Sequence, residues 1–300
     1  MDAASMSLSV VELRNCPAPA KLNLFLHIVG RRADGYHMLQ TVFQLIEYGD
    51  MLHFALRDDG KILRTTDVPG VAPDEDLTVR AAMLLRAAAN EREGTKVCGV
   101  DIAIEKRLPM GGGLGGGSSD AATTLIALNR LWDAGFSRAE LMALGLQLGA
   151  DVPVFIFGQN AFAEGIGEVL TPVETPDCWY VVIEPGVVVS TSAAFRAPDL
   201  TRNTKPVRIT DFSEGIAASG CFGRNDLQPV VARHFEPIAA ALKWLAQYGE
   251  ARMTGSGACV FCAFPDEQSA EKALRNVPQH WKAWKARALA RHPMHALLTT

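Results

Sequence analysis

The sequence predicts a mixed α and β protein of two domains, an α+β class, and three observations lead there. Its 300 residues, 48% hydrophobic, can bury two moderate cores. Apolar residues alternate with polar ones in some segments and recur every three to four residues in others. The best-patterned stretch runs strand, loop, helix, helix, which is not the strand–helix–strand repeat of a doubly wound parallel sheet.

Taken in order, residues 1–16 read as a tail. Ala18 to Val29 reads as a strand with Lys21 and Asn23 among its apolar residues. Asp34-Gly35 supplies turn chemistry within Arg31 to His37, and Leu39 to Ile46 and Met51 to Leu56 read as two further strands. Leu77 to Ala89 is helical, because Leu77, Ala81, Leu84, Leu85 and Ala88 share a face and Asp74, Glu75 and Asp76 complement the dipole at its start. Val100, Ile102 and Ile104 alternate with Asp101, Ala103 and Glu105 as a half-buried strand does, and a helix follows from near Ser118 to Trp132. Ser137 and Glu140 form an S-x-x-E capping box for the next helix, which carries Leu141, Leu144, Leu146 and Leu148 and stops at Gly149.

The second half is expected to continue with short strands at Ala150–Phe157, Ala161–Glu164, Val169–Val173, Trp179–Ile183 and Val187–Val189. Pro229 to Tyr248 reads as one helix ended by Gly249, Ala258 to Phe264 as an apolar strand and Glu267 to Asn276 as a helix. The domain boundary is expected within 158–175, dividing the chain into 1–165 and 166–300, with the chain end free to pack back on the first domain.

A net charge of -4 and a pI near 6.0 supply no basic field for nucleic acid or anionic lipid. No apolar run reaches membrane-spanning length, and the first sixteen residues lack the basic start and apolar core of a signal peptide, so a cytoplasmic protein is expected. Six scattered cysteines do not suggest a disulfide framework. Cys259 and Cys262 spell C-x-x-C but fall on a strand, where positions three apart face opposite sides, so zinc or redox chemistry is not expected of them.

The chemistry is concentrated in Leu108 to Asp120, where six of the seven positions 111–117 are glycine, ahead of a helix. Glycine lets backbone N–H groups approach a ligand, and a helix start adds unpaired N–H groups and partial positive charge. An anion cradle is expected, most simply for a nucleotide phosphate. Gly111, Gly113 and Gly116 satisfy G-x-G-x-x-G, but the second parallel strand of a dinucleotide fold is missing from the pattern. A Walker loop is excluded because Gly117 is followed by Ser118 and Ser119, not by Lys.

Three segments, Pro19-Ala20-Lys21-Leu22-Asn23-Leu24, the 108–119 run and Thr254-Gly255-Ser256-Gly257-Ala258, resemble the GHMP kinases. Gly30 to Thr41, Gly149 to Phe155 and Ala163 to Glu168 resemble the branch of that superfamily that acts on CDP-methylerythritol in the non-mevalonate isoprenoid pathway. The resemblance implies a two-domain architecture, with an ATP-binding domain like ribosomal protein S5 domain 2 followed by a ferredoxin-like α/β sandwich. It implies transfer of the γ-phosphoryl group of ATP to the 2-hydroxyl of CDP-methylerythritol, in a monomer or weak homodimer.

By that resemblance Asp151 is the base, and Lys21 is the cation that orients it and stabilises charge. Asn23, Tyr36, His37, Phe43, Gly165, Gly167, Thr191 and Phe195 bind the acceptor. Leu77, Lys106, Pro109, Met110, Gly111, Gly112, Gly113, Leu114, Gly115, Gly116, Gly117, Ser118 and Ser119 bind ATP. Mg²⁺ is expected to arrive with ATP, held mainly by phosphate oxygens and water, with Ser119 and Asp120 the protein contacts named for it. Asp76 stands where the family more often has Asn, and Ser192 where it often has Pro. Two further readings fit the general motifs: another small-molecule kinase of the superfamily, and a nucleotide or sugar sensor without catalysis. Lys21 with Asp151 argues against the sensor, and the Asp34-Gly35-Tyr36-His37 segment against the other kinase.

Overall fold

The structure is a computed structural model that describes residues 11–92 and 97–298. Its elements are β1 (Glu12–Arg31), β2 (His37–Arg57), β3 (Ile62–Arg64), α1 (Leu77–Asn90), β4 (Gly99–Glu105), α2 (Gly116–Leu131), α3 (Arg138–Leu148), α4 (Val152–Phe157), β5 (Ala161–Glu164) and β6 (Val169–Pro172). These continue with β7 (Trp179–Glu184), α5 (Thr191–Arg196), α6 (Ile209–Ser219), α7 (Gln228–His234), α8 (Glu236–Leu245), β8 (Arg252–Met253), β9 (Val260–Phe264), α9 (Glu267–Arg275) and β10 (Lys282–Leu289). The strands join in one sheet in the order β3-β4-β2-β10-β7-β9-β8, with β1 and β5 also pairing β2 and β6 pairing β5.

The long hairpin of β1 and β2 organises the molecule. From Ala18 to Ile28 every residue of β1 is buried, so the strand is covered on both faces. Cys16 and Ala18 join the core under α1, α2 and α4, while Leu22, Leu24 and Phe25 pack with Tyr180, Phe212 and Phe261. Leu26 and Ile28 then reach the core formed with α7, α8 and α9. Any charged side chain on this strand is therefore forced inside, and Lys21 is one.

Several expectations change here. Leu39–Ile46 and Met51–Leu56 form one strand, because Gly49 passes so close to Ala18 that a Cβ would overlap its carbonyl, and pairing runs on across it. The expected tail of 1–16 is strand from Glu12 onward, and the first ten residues fall outside the described chain. Within the strand expected over Ala150–Phe157, Val152–Phe157 is a helix: the buried run has no alternation, and Pro153 in the first turn needs no N–H partner. Val187–Val189 forms no strand, following Pro185-Gly186 with Val188 exposed. The single helix expected over 229–248 is two, α7 and α8, broken at extended Phe235 because Pro237 cannot continue the hydrogen-bond ladder, and it ends before Gly249. The capping box of Ser137 and Glu140 forms as expected.

The chain end packs against the first half. β10 pairs β2 and β7, and a 3₁₀ turn at His295–Leu298 places Leu298 in the core under α2 and α4. His292 is sealed beside it: Nδ1 accepts from Met294 N at 3.1 Å, Nε2 has no partner among the described residues, and burial, with His295 second, pushes its pKa down to about 3. Unfolded, the ring titrates near its ordinary 6.5, so its neutral form favours the fold above that pH. Stability should fall as pH drops from 6.5 towards 3, by up to roughly 5 kcal/mol. Urea melts across this range are expected to show that loss and to show less of it for His292→Gln. Among the described residues no helix is long and apolar enough to cross a membrane.

Candidate active site

The glycine run folds as a loop braced by the far half of the chain. Gly111, Gly113 and Gly115 all take φ near +70°, the left-handed region, and Gly115 starts α2 with no side-chain cap. The N–H groups of the first turn are thereby left for a ligand. The Gly111 and Gly112 carbonyls accept from Ala258 N and Cys259 N at 3.2 and 3.1 Å, and the Gly113 carbonyl accepts from Thr254 Oγ1 at 3.1 Å. The second small-residue loop thus holds the first in shape.

At the entry to this loop Asp50, fully buried, accepts from the backbone N of Arg107 at 2.6 Å and Leu108 at 2.8 Å, and pairs with Lys106. Lys106 also pairs with Asp120 at 2.8 Å. Burial pulls the Lys106 ammonium down, but Asp120 and Asp50 outweigh it and hold it above the ordinary lysine value. Burial, joined by the charge of Asp50, pushes the Asp120 carboxyl up against the pull of Lys106. Asp50 is a site residue that local sequence reasoning missed, since it stands 56 residues from Lys106 and matches no motif.

A cavity of about 430 Å³ lies over the loop, lined by Leu77, Lys106, Pro109, Met110, the seven residues from Gly111 to Gly117, and Ser118. Those expected ATP contacts are brought together. Ser119 is not on the wall: fully buried, it donates to the Pro19 carbonyl at 2.7 Å. Asp120 is on the wall, and its Oδ1 is buried without a hydrogen-bond partner among the described residues, an oxygen suited to a divalent cation. Asp76, also on this wall, caps α1 by accepting from Thr78 N at 2.8 Å and pairs with Arg64 at 2.7 Å, so its carboxylate is committed within the protein.

A second cavity of about 750 Å³ shares Gly111, Gly113, Gly115 and Ser118 with the first. Lys21 and Asp151 line this second cavity. Lys21 and Asn23, two apart on β1, share a face, and Lys21 Nζ donates to Asn23 Oδ1 at 2.7 Å. The ammonium lies 3.3 Å from Asp151 Oδ2 and 5.3 Å from the centre of the Phe43 ring. Asp151 precedes α4 but makes no capping bond, so its carboxylate is not tied to the helix start, with 37% of the side chain exposed against 3% for Lys21. Asn23 is fixed in turn: Nδ2 donates to Thr41 Oγ1 at 2.9 Å, and its backbone N donates to Thr254 Oγ1 at 3.1 Å. Thr41 and Thr254 are supports that the strand pattern did not single out.

The rest of the wall carries Tyr36, His37, Phe43, Thr191 and Phe195. Tyr36 is 62% exposed while Phe43 is 2% exposed and belongs to the core as well. His37 and Phe195 rings lie 5.1 Å apart, although their residues are far apart in sequence. Gly165 and Gly167 make the tight turn beside β5, with φ of +73° and +112°, but it is Ile166 between them that lines the cavity. Ser192 sits in the first turn of α5, where Ser190 caps the helix and Thr191 meets Ser256 at 2.9 Å.

The cysteines fit the structural reading. Cys259 and Cys262 are buried in different cores, and burial raises both thiols, Cys262 to about 11. Cys16 and Cys178 are buried too, while Cys98 and Cys221 are half-buried.

Residues 76–159 match the family described as GHMP kinases N terminal domain, and residues 207–283 match GHMP kinases C terminal. The chain is 68% identical over 282 residues to a 4-diphosphocytidyl-2-C-methyl-D-erythritol kinase of Janthinobacterium sp. (strain Marseille), covering 94% of this chain and 96% of that one. It is 66% identical over 287 residues to the kinase of the same name from Herminiimonas arsenicoxydans, covering 96% and 99%. A crystal structure of 4-(cytidine 5'-diphospho)-2C-methyl-D-erythritol kinase superposes with a TM-score of 0.77 at 33% identity, covering 92% of this chain and 98% of that one. Homoserine kinase from Cytophaga hutchinsonii superposes with a TM-score of 0.69 at 14% identity, covering 97% and 98%, a likeness of fold.

Proposed function

Because the chain belongs to the GHMP kinases, and among them to the 4-diphosphocytidyl-2-C-methyl-D-erythritol kinases, we propose that Asp151 and Lys21 carry phosphoryl transfer from ATP to the 2-hydroxyl of that acceptor. The chain is a kinase of the non-mevalonate isoprenoid route. The observation that carries the residue assignment is the Lys21–Asp151 pair at 3.3 Å, in an aromatic cavity that shares Gly111, Gly113, Gly115 and Ser118 with the glycine-lined one.

An alcohol is a weak nucleophile until a base takes its proton, and Asp151 is the accessible carboxylate beside the shared glycines. Lys21, held by Asn23 and buried, orients that carboxylate and adds fixed positive charge where negative charge spreads over the transferring group. The N–H groups at the start of α2 receive phosphate oxygens. Mg²⁺ bound with ATP would neutralise phosphate charge, and Asp120 through its unpartnered Oδ1 is the residue that would hold it, with Ser119 committed to Pro19. Tyr36, His37 and Phe195 surround the cytosine, which explains an exposed tyrosine and a histidine–phenylalanine pair at the rim.

A coupled assay of ADP release over an acceptor panel tests this reading. ATP consumption is expected with the cytidyl-methylerythritol acceptor and not with mevalonate or homoserine. Equal rates with either of those would overturn the acceptor assignment.

A further inference from the structure

The loop between α5 and α6 carries a guanidinium that the reaction does not use. Arg202 donates through Nη2 to the carbonyls of Phe195 at 3.1 Å and Ala197 at 2.7 Å, and through Nη1 to that of Leu200 at 3.1 Å. Its Nε donates to His37 Nε2 at 3.2 Å. One side chain therefore ties the helix bearing the Phe195 ring to the histidine across the cavity mouth.

A guanidinium has donors only, so His37 Nε2 must be the accepting nitrogen. The proton of the neutral ring is then on Nδ1, which has no hydrogen-bond partner among the described residues. Burial holds the His37 pKa below the ordinary histidine value, and the positive charges of Arg202 and then Arg31 add to it. The other charged groups lining this cavity are Asp34, which pairs with Arg32, Arg196, and the mutually paired Lys21 and Asp151. The ring is thus a neutral donor at Nδ1, beside an aromatic platform.

We propose that Arg202 is a positioning residue for base selection: by fixing the Nδ1–H tautomer of His37 and holding Phe195 against it, it makes the site favour cytosine over uracil. The inference rests on the cytidine-linked acceptor proposed above. Cytosine N3 is an acceptor that complements an Nδ1–H, whereas uracil N3 carries hydrogen and meets that donor with a donor. One such mismatch costs about a hydrogen bond, or about tenfold in selectivity.

The test uses full-length wild type, Arg202→Met and Arg202→Lys. Long-range ¹H–¹⁵N spectra of the ligand-free protein, with His37 assigned by its loss in His37→Gln, read the tautomer. Kinetics with the cytidyl substrate and its uridyl counterpart read selectivity. Wild type is expected to show protonated Nδ1, and R202M a mixture of tautomers. R202M should also lower the cytidine-to-uridine ratio of kcat/KM by about tenfold, mostly through KM for the cytidyl substrate. R202K, which keeps charge and one donor, should recover part of the ratio. Wild-type His37 protonated at Nε2 would overturn the proposal, as would an R202M protein whose KM rises equally for both substrates, since that marks a brace for α5 alone. If wild type fails to phosphorylate the cytidyl substrate, the functional reading fails, and the spectra still decide the Arg202–His37 contact.

Discussion

Asp151→Asn is expected to lower kcat by roughly 10²–10⁴-fold, the usual contribution of a positioned general base. The amide matches the carboxylate in size but cannot take the hydroxyl proton. The fold should be spared, because Asp151 makes no capping bond to α4 and its side chain is partly exposed. Thermal melts close to wild type and KM for the acceptor within about threefold would place the loss in the chemical step. A variant that keeps more than about a tenth of wild-type kcat would remove Asp151 as the base.

Gly113→Ala is expected to abolish most ATP binding and to destabilise the protein. At φ +74° an L side chain is strained by about 1–2 kcal/mol, and here a Cβ would also overlap the Thr254 carbonyl oxygen. Thr254 cannot retreat, because its hydroxyl bonds the Gly113 carbonyl and its N–H bonds the Cys259 carbonyl at 3.0 Å. The strain therefore spreads into both loops of the cradle. Gly60→Ala is the matched control: φ is +71° but nothing lies within 4 Å, so it pays the conformational cost alone. Calorimetric titration with ATP should show affinity lost by more than about tenfold for Gly113→Ala and kept for Gly60→Ala. Equal affinities in the two variants would mean that the interlocked loops do not set the cradle.

The two substitutions probe groups of different legibility. The glycine run made the left-handed loop legible by itself, because left-handed backbone is a local demand that only glycine meets cheaply. Its dependence on Thr254 and Cys259 could not be read locally, since those contacts join residues about 140 apart. Lys21 and Asp151 were legible through resemblance, not through pattern: each alone has an ordinary structural explanation, and 130 residues separate them. Short apolar runs were the weakest ground. Val152–Phe157 offers no periodicity to tell strand from helix, and its helical state is set by packing in the core beneath α2. The continuous β2 likewise depended on Gly49 meeting Ala18 across the hairpin.

The sequence by itself determined the class of the fold, the left-handed glycine loop ahead of α2, the capped helix at Ser137 and, through its motifs, the kinase family to which the chain belongs. Those features are carried by short-range rules: glycine's dihedral freedom, side-chain caps and periodic burial. Only the tertiary structure decided that Asp50 braces the loop, that Ser119 faces Pro19 while Asp120 faces the cavity, and that Arg202 reaches His37. Each of these is a pairing of polar groups brought into hydrogen-bond range by burying three cores around one hairpin, and no local pattern encodes which distant partner burial will supply.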